Sequence, residues 1–170
     1  MAKKVNVFIS FRKEDIKIVK KFERMFVDHY ECVTSSYVRE DKIPNDLNDE
    51  ATLQLIIKNH IQNSSITIVI IGENTYKSNF VDWEIKASLR GKKNDRKRSG
   101  LIGIFVPEIT NGGKKHKNLI PERLGDNIKD GYAHCYDWTD DKTEFMMWID
   151  QALFNRKNKQ PNNNRLMKGR

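Results

Sequence analysis

The chain has 170 residues, of which 38% are hydrophobic and 32% charged, with a formal net charge of +8 and two cysteines. That is the length of one domain, sufficient to bury a core without disulfides or metal. No apolar stretch approaches the roughly 18 residues of a membrane span, and the apolar run behind the basic start ends at Phe11, too short for an export signal.

A soluble cytoplasmic domain is therefore expected, with Cys32 and Cys135 as reduced thiols rather than a bridge. The positive charge invites a nucleic-acid reading, but its placement argues against one. Six basic residues and no acid lie in 155–170, and a second cluster, Arg90 to Arg98, occupies one polar segment. No aromatic side chains are interleaved with these cations to stack bases. Neither nucleic acid nor membrane is expected as a partner, and residues 155–170 read as a basic, disordered tail behind a domain spanning 1–154.

Val5 to Ser10 is nearly continuously apolar, as in a strand buried on both faces. Ile18, Val19, Phe22, Met25 and Phe26 then fall on one helical stripe, with Asp15 as its expected N-cap. Cys32 to Ser35 reads as a short second strand, and Ser36 to Asp49 as a long polar loop around Pro44. Leu53, Ile56, Ile57, His60 and Ile61 form a second helical stripe. Ile66 to Ile71 is the clearest buried strand, closed by Gly72. Phe80 to Leu89 reads as a third helix, with Val81, Ile85 and Leu89 at i, i+4 and i+8. Leu101 to Val106 is a further strand, stopped by Pro107, and residues 107–118 read as a polar loop. A helix is expected over Pro121 to Ile128, a last strand over Tyr132 to Tyr136, and a final helix around Phe145, Trp148, Ile149 and Leu153.

Strands alternating with helices imply an α/β fold with a parallel sheet of about five strands and helices on both faces, the flavodoxin-like layout. In such sheets ligands bind beyond the carboxyl ends of the strands, where the strand order reverses between the first and third strands. That brings the segment Phe11 to Asp15 beside the segment Gly72 to Phe80, which leads into the helix bearing Glu84. Several chemistries are missing from the sequence: no GxGxxG follows the first strand, there is no GxxxxGK[ST] and no GxSxG, and His29, His60, His116 and His134 lack metal-ligand spacing. Asp140 and Asp141 read as the start of a helix rather than an ion site.

Two boxes carry a resemblance. Val7-Phe8-Ile9-Ser10-Phe11-Arg12-Lys13-Glu14-Asp15 resembles the opening box of TIR domains. Leu53 through Leu89 resembles the TIR succession of amphipathic helix, β-branched strand, loop with tyrosine and serine, and a helix carrying tryptophan and glutamate. The form Val81-Asp82-Trp83-Glu84-Ile85 is similar to bacterial TIR-like proteins, including the signalling subunit of Thoeris antiphage systems. The resemblance covers residues 5–106; beyond that only the order of elements continues. It implies cleavage of NAD at the nicotinamide–ribose bond, giving an ADP-ribose-derived messenger for a downstream effector in antiphage defence, with NAD as substrate and no other cofactor. It also implies self-association through TIR–TIR contacts. By the same resemblance Glu84 is the catalytic residue, and Ser10, Phe11, Arg12, Asp41, Phe80 and Trp83 form the substrate-binding set. Phe80 stands where the family has tryptophan, and Val81 where it has cysteine.

The chemistry suits these residue types. The bound nicotinamide is cationic and leaves without a strong general acid, so one carboxylate can stabilise the oxocarbenium-like ribosyl centre. An arginine fork suits a diphosphate, and an aromatic face suits a base. Each residue also has a plainer reading. Glu84 fits an acid in the first turns of a helix, Phe11 fits core packing at a strand end, Arg12 fits a surface charge, and Trp83 fits packing. A scaffold that binds other TIR domains without catalysis stays open beside the enzyme, because one fold serves both roles.

Overall fold

The computed structural model describes residues 5–27, 33–36, 44, 46–91, 98–110 and 113–169. Five strands, β1 (Val5–Ser10), β2 (Val33–Ser36), β3 (Ile66–Ile71), β4 (Gly100–Phe105) and β5 (His134–Tyr136), form one sheet in the order β2-β1-β3-β4-β5. All four pairings are parallel. The helices are α1 (Ile16–Phe22), α2 (Asp49–Ile56), α3 (Asn79–Leu89), α4 (Glu122–Lys129) and α5 (Lys142–Asn158). Both α1 and α2 continue into a wider π turn, over Glu23–Val27 and Ile57–Ile61.

The expected flavodoxin-like α/β fold is what the chain adopts, and side-chain alternation explains how it is layered. From β1, Val7 and Ile9 join Ile66, Ile68 and Ile70 of β3 on one face, against Val19, Phe22 and Phe26 and against Phe145, Trp148 and Ile149 of α5. Phe8 points to the opposite face, where α2 and α3 cover it. Val69 and Ile71 share that second face with Val81, Ile85 and Leu89 of α3 and with Leu124 of α4. The continuous apolar runs of β3 and β4 are accordingly buried at every residue.

Helix starts follow side-chain caps. Asn48 accepts from the amide of Ala51, Ser78 from that of Val81, and Asp141 from those of Thr143 and Glu144, satisfying N–H groups that a first turn leaves open. Asp15 stands at the N-cap position of α1 but makes no side-chain cap bond. Its carboxylate lies instead so close to Gly72 that a Cβ there would sit 2.4 Å from Oδ2. Gly72 is therefore a close-approach glycine between the ends of β1 and β3. The expected second strand falls at Val33–Ser36, and much of the expected loop at 36–49, with Asp41, lies outside the described residues.

The basic, disordered tail from residue 155 is corrected. Helix α5 runs to Asn158, with Asn155 buried and donating from Nδ2 to the carbonyl of Tyr132 at 3.2 Å. Residues 159–169 then cross α4 and α3 as an extended segment. Arg165 forks onto Asp126, far away in sequence, with both N–O distances at 2.9 Å, while Lys159 and Lys168 donate to the carbonyls of Gly131 and Tyr76.

Candidate functional site

Glu84 sits in the second turn of α3, on the side that faces the sheet, and is only 1% exposed. Ser10, the last residue of β1, donates from Oγ to Glu84 Oε1 at 2.8 Å. One turn on, Ser88 donates from Oγ to the carbonyl of Glu84 at 2.8 Å and lies 2.7 Å from Thr67 Oγ1 of β3. The i, i+4 pair Glu84 and Ser88 thus lays a polar seam along α3, met by one hydroxyl from each of the two central strands. The rest of that helix–sheet contact is apolar, so the seam fixes the height and rotation of α3 on the sheet.

The seam lies at the reversal of strand order. β1 and β3 are hydrogen-bonded neighbours there, with Ser10 in register with Val69. The loop after β3 is tied down by Thr75, whose Oγ1 accepts from the amide of Gly72 at 2.7 Å. A 3-10 turn over Thr75–Lys77 then delivers the chain to Ser78 and α3.

Asp15 lines the same edge. Its Oδ2 is enclosed and has no hydrogen-bond partner among the described residues. Burial first, and then the negative charges of Glu14 and Glu108, push its carboxyl up to about 6, with Arg12 pulling the other way. Glu14 after β1 and Glu108 after β4 are thus the negative neighbours of Asp15 at this edge. Arg12, whose side chain is 30% exposed, lies 3.8 Å from Glu14. It is the accessible cation of this edge among the residues expected to contact substrate.

Those residues do not all converge on Glu84. Ser10 does, through a direct hydrogen bond. Phe11 packs against the cluster on the opposite face of the sheet, with Ile18 and Trp138. The reason is strand alternation: Ser10 and Phe11 point to opposite sides. Phe80 is on the same side as Glu84 but is only 3% exposed, packed in the cluster of Phe8, Leu53 and Ile56. Trp83 meets Phe80 edge-on, with centroids 6.3 Å apart, and donates from Nε1 to the carbonyl of Lys168 at 2.9 Å. Asp41 lies outside the described residues.

Two features here escape motif reading. One is Asp15 against Gly72, taken from sequence as a helix cap. The other is the C-terminal segment, which reaches α3 through Met167 and Lys168. Its sequence signal is the pair Leu166-Met167, two apolar residues inside an otherwise polar stretch.

Among the described residues no helix is long and apolar enough to cross a membrane, and no group of three or more His, Cys, Asp or Glu side chains is arranged to hold a metal ion. No curated protein matches the chain. A structural similarity links it to the flavoenzyme NAD(P)H:(acceptor) oxidoreductase FerB from Paracoccus denitrificans, at 16% identity and a TM-score of 0.48, covering 92% of this chain and 96% of that one. The family profile described as Thoeris protein ThsB, TIR-like domain, matches residues 8–111, more than half of the chain and a span that contains Ser10, Arg12, Gly72 and Glu84. The chain belongs to the family of TIR-like domains of Thoeris protein ThsB.

Proposed function

We propose that this chain is an NAD-cleaving enzyme whose working carboxylate is Glu84, and that its ADP-ribose-derived product signals to a downstream effector in antiphage defence. The observation that carries the reading is the hydrogen bond from Ser10 Oγ to Glu84 Oε1, made at the sheet's reversal point, where folds of this layout bind ligands. The serine hydroxyl orients the carboxylate, the group suited to a ribose hydroxyl.

In the reaction the bond between nicotinamide N1 and ribose C1′ breaks, and nicotinamide leaves as a neutral molecule with the bonding pair. Glu84 stabilises the positive charge that develops on the ribosyl carbon. Water, or a nucleophile within the ADP-ribosyl group, then forms the new bond at C1′ and releases a proton. Arg12 is the residue of this edge suited to the diphosphate. Ser10, Arg12 and Glu84 form the proposed site; Phe80 and Trp83 join it only if the groove over α3 opens.

A second reading is a non-catalytic scaffold that binds other TIR domains. It is favoured by the burial of Glu84, because a carboxylate held by Ser10 inside a helix–sheet contact also serves to pin α3. Incubation with NAD and chromatography of the products separates the two. Under the enzymatic reading, Glu84→Gln lowers turnover by about 10²–10³-fold, the loss typical of a group that stabilises transition-state charge. Undiminished turnover in Glu84→Gln rejects the site. Absence of turnover in every preparation, assembled ones included, together with self-association insensitive to Glu84→Gln, supports the scaffold.

A further inference from the structure

Residues 159–169 run antiparallel to α3 and end at its N-terminus, beside the proposed site. Asn163 Nδ2 donates to the carbonyl of Lys86 near the helix's far end. Further on, Trp83 donates to the carbonyl of Lys168, while the amide of Lys168 donates to Asp82 Oδ2 at 2.9 Å. Lys168 Nζ reaches the carbonyl of Tyr76 at 2.5 Å, in the loop that feeds α3. At the end of the described chain Gly169, with φ of 75°, lies so close to Asn79 that a Cβ there would sit 2.3 Å from its Nδ2.

One side chain of this segment enters the interior. Met167 is 5% exposed and belongs to the packed cluster of Phe8, Leu53, Phe80 and Ala87. Phe80 and Ala87 stand at i−4 and i+3 from Glu84, so they flank the carboxylate on one helical stripe. Met167 therefore closes the groove between α2 and α3 along the stripe that carries Glu84. Where the groove continues past Met167 it is open, as a pocket of about 340 Å³ bounded by Leu53, Lys86, Arg90 and Leu166.

We propose that the C-terminal segment is an autoinhibitory strap that shuts access to Glu84 by seating Met167 in the groove between α2 and α3, and that the active state requires its release. The proposal rests on the reading of Glu84 as the working carboxylate. The attachments suit release. Met167 is the buried apolar anchor, Leu166 beside it is 86% exposed, and the remaining contacts are hydrogen bonds and the surface ion pairs of Arg165 with Asp126 and Glu122, which water can replace. A segment with few buried apolar contacts opens without unfolding the rest. Opening also returns Arg123 to water on the side where it now donates to the carbonyls of Arg165 and Leu166, while its bonds to Asp82 persist. The groups beneath that lose a partner, Arg123 and Asn127 among them, exchange it for water while the ion pair of Arg123 with Asp82 stays in place.

The test measures access to Glu84 without relying on NAD. A short pulse of water-soluble carbodiimide with glycine ethyl ester labels accessible carboxylates, and mass spectrometry reads the label on Glu84 against that on Glu144, an exposed acid of α5. The full chain is compared with a chain ending at Gln160 and with full-length Met167→Ser, which keeps the test open if the shortened chain does not fold. The expected result is a rise of at least about tenfold in Glu84 labelling relative to Glu144 in both variants, with a cooperative melting transition retained. An unchanged ratio in a folded variant overturns the proposal. So does a gain accompanied by loss of the melting transition, because the segment is then part of the core. NAD turnover is measured on the same samples: raised labelling with no turnover in any of them rejects NAD cleavage and leaves the strap standing.

Discussion

Ser10 and Glu84 form the contact on which both stability and the proposed chemistry turn. Removing the hydroxyl leaves a buried carboxylate oxygen without its donor, which costs about 1–3 kcal/mol. Ser10→Ala is therefore expected to lower stability in urea melts by that order and to reduce NAD turnover as well, since the carboxylate loses its orientation. Asp15 makes a prediction of opposite sign. Its carboxyl is raised from 3.8 to about 6 in the folded chain, so between roughly pH 4 and 6 the folded state binds more protons than the unfolded one. Stability from this group therefore falls as pH rises through that window and stays low above it. Asp15→Asn is expected to stabilise the chain at pH 7 by on the order of 1 kcal/mol, the shift being discounted for the partial exposure of the group, and to change nothing near pH 3.5. Urea melts of both chains at the two pH values check this; equal gains at both would show that charge is not the cause. The glutamate was legible in the sequence because its motif is local. The role of Asp15 was not, because it depends on how close Gly72 approaches from another strand.

At the scale of elements, α3 is held from three sides: by its Ser78 cap, by the polar seam on the sheet, and by the buried pair of Asp82 with Arg123 of α4. Arg123 is 1% exposed and meets Asp82 Oδ1 at 2.8 Å through Nε and Oδ2 at 3.2 Å through a terminal nitrogen. A buried pair is a weak net stabiliser, but breaking one strands a charge at about 3–5 kcal/mol. Arg123→Met is expected to lower the melting temperature by roughly 10 °C, a shift that calorimetry resolves readily for a chain of this size. Asp82→Asn combined with Arg123→Met should recover part of that loss; no recovery would mean that the contacts of Arg123 to the C-terminal segment dominate. The helices and central strands were legible because their apolar periods are local, and Ile66–Ile71 was read to the residue. Elements whose register depends on partners were read less well: β5 is shorter than its apolar run, and α2 begins at Asp49, before its apolar stripe.

For the molecule as a whole, the alternation of periods led directly to the two-faced parallel sheet and to the neighbouring ends of β1 and β3. Beyond the topology, the sequence was silent on what covers the sheet face around Glu84. A basic, asparagine-rich stretch reads as tail by composition, and its partners on α3 and α4, among them Asp126 and Asp82 at 39 and 86 positions earlier, are invisible to that reading. Aromatic positions were misplaced for a related reason. A motif says that a ring is present, whereas the pleat of the strand and the packing of α2 decide which side of the sheet it serves.

Among the described residues the two edge strands are short, four residues in β2 and three in β5. Each therefore offers few unpaired backbone groups, and short edges resist the addition of a further strand from another molecule. Copies of this chain that assemble are thus steered away from a continuous intermolecular sheet and toward contacts between helices and loops. Such an assembly can come apart without tearing a backbone ladder.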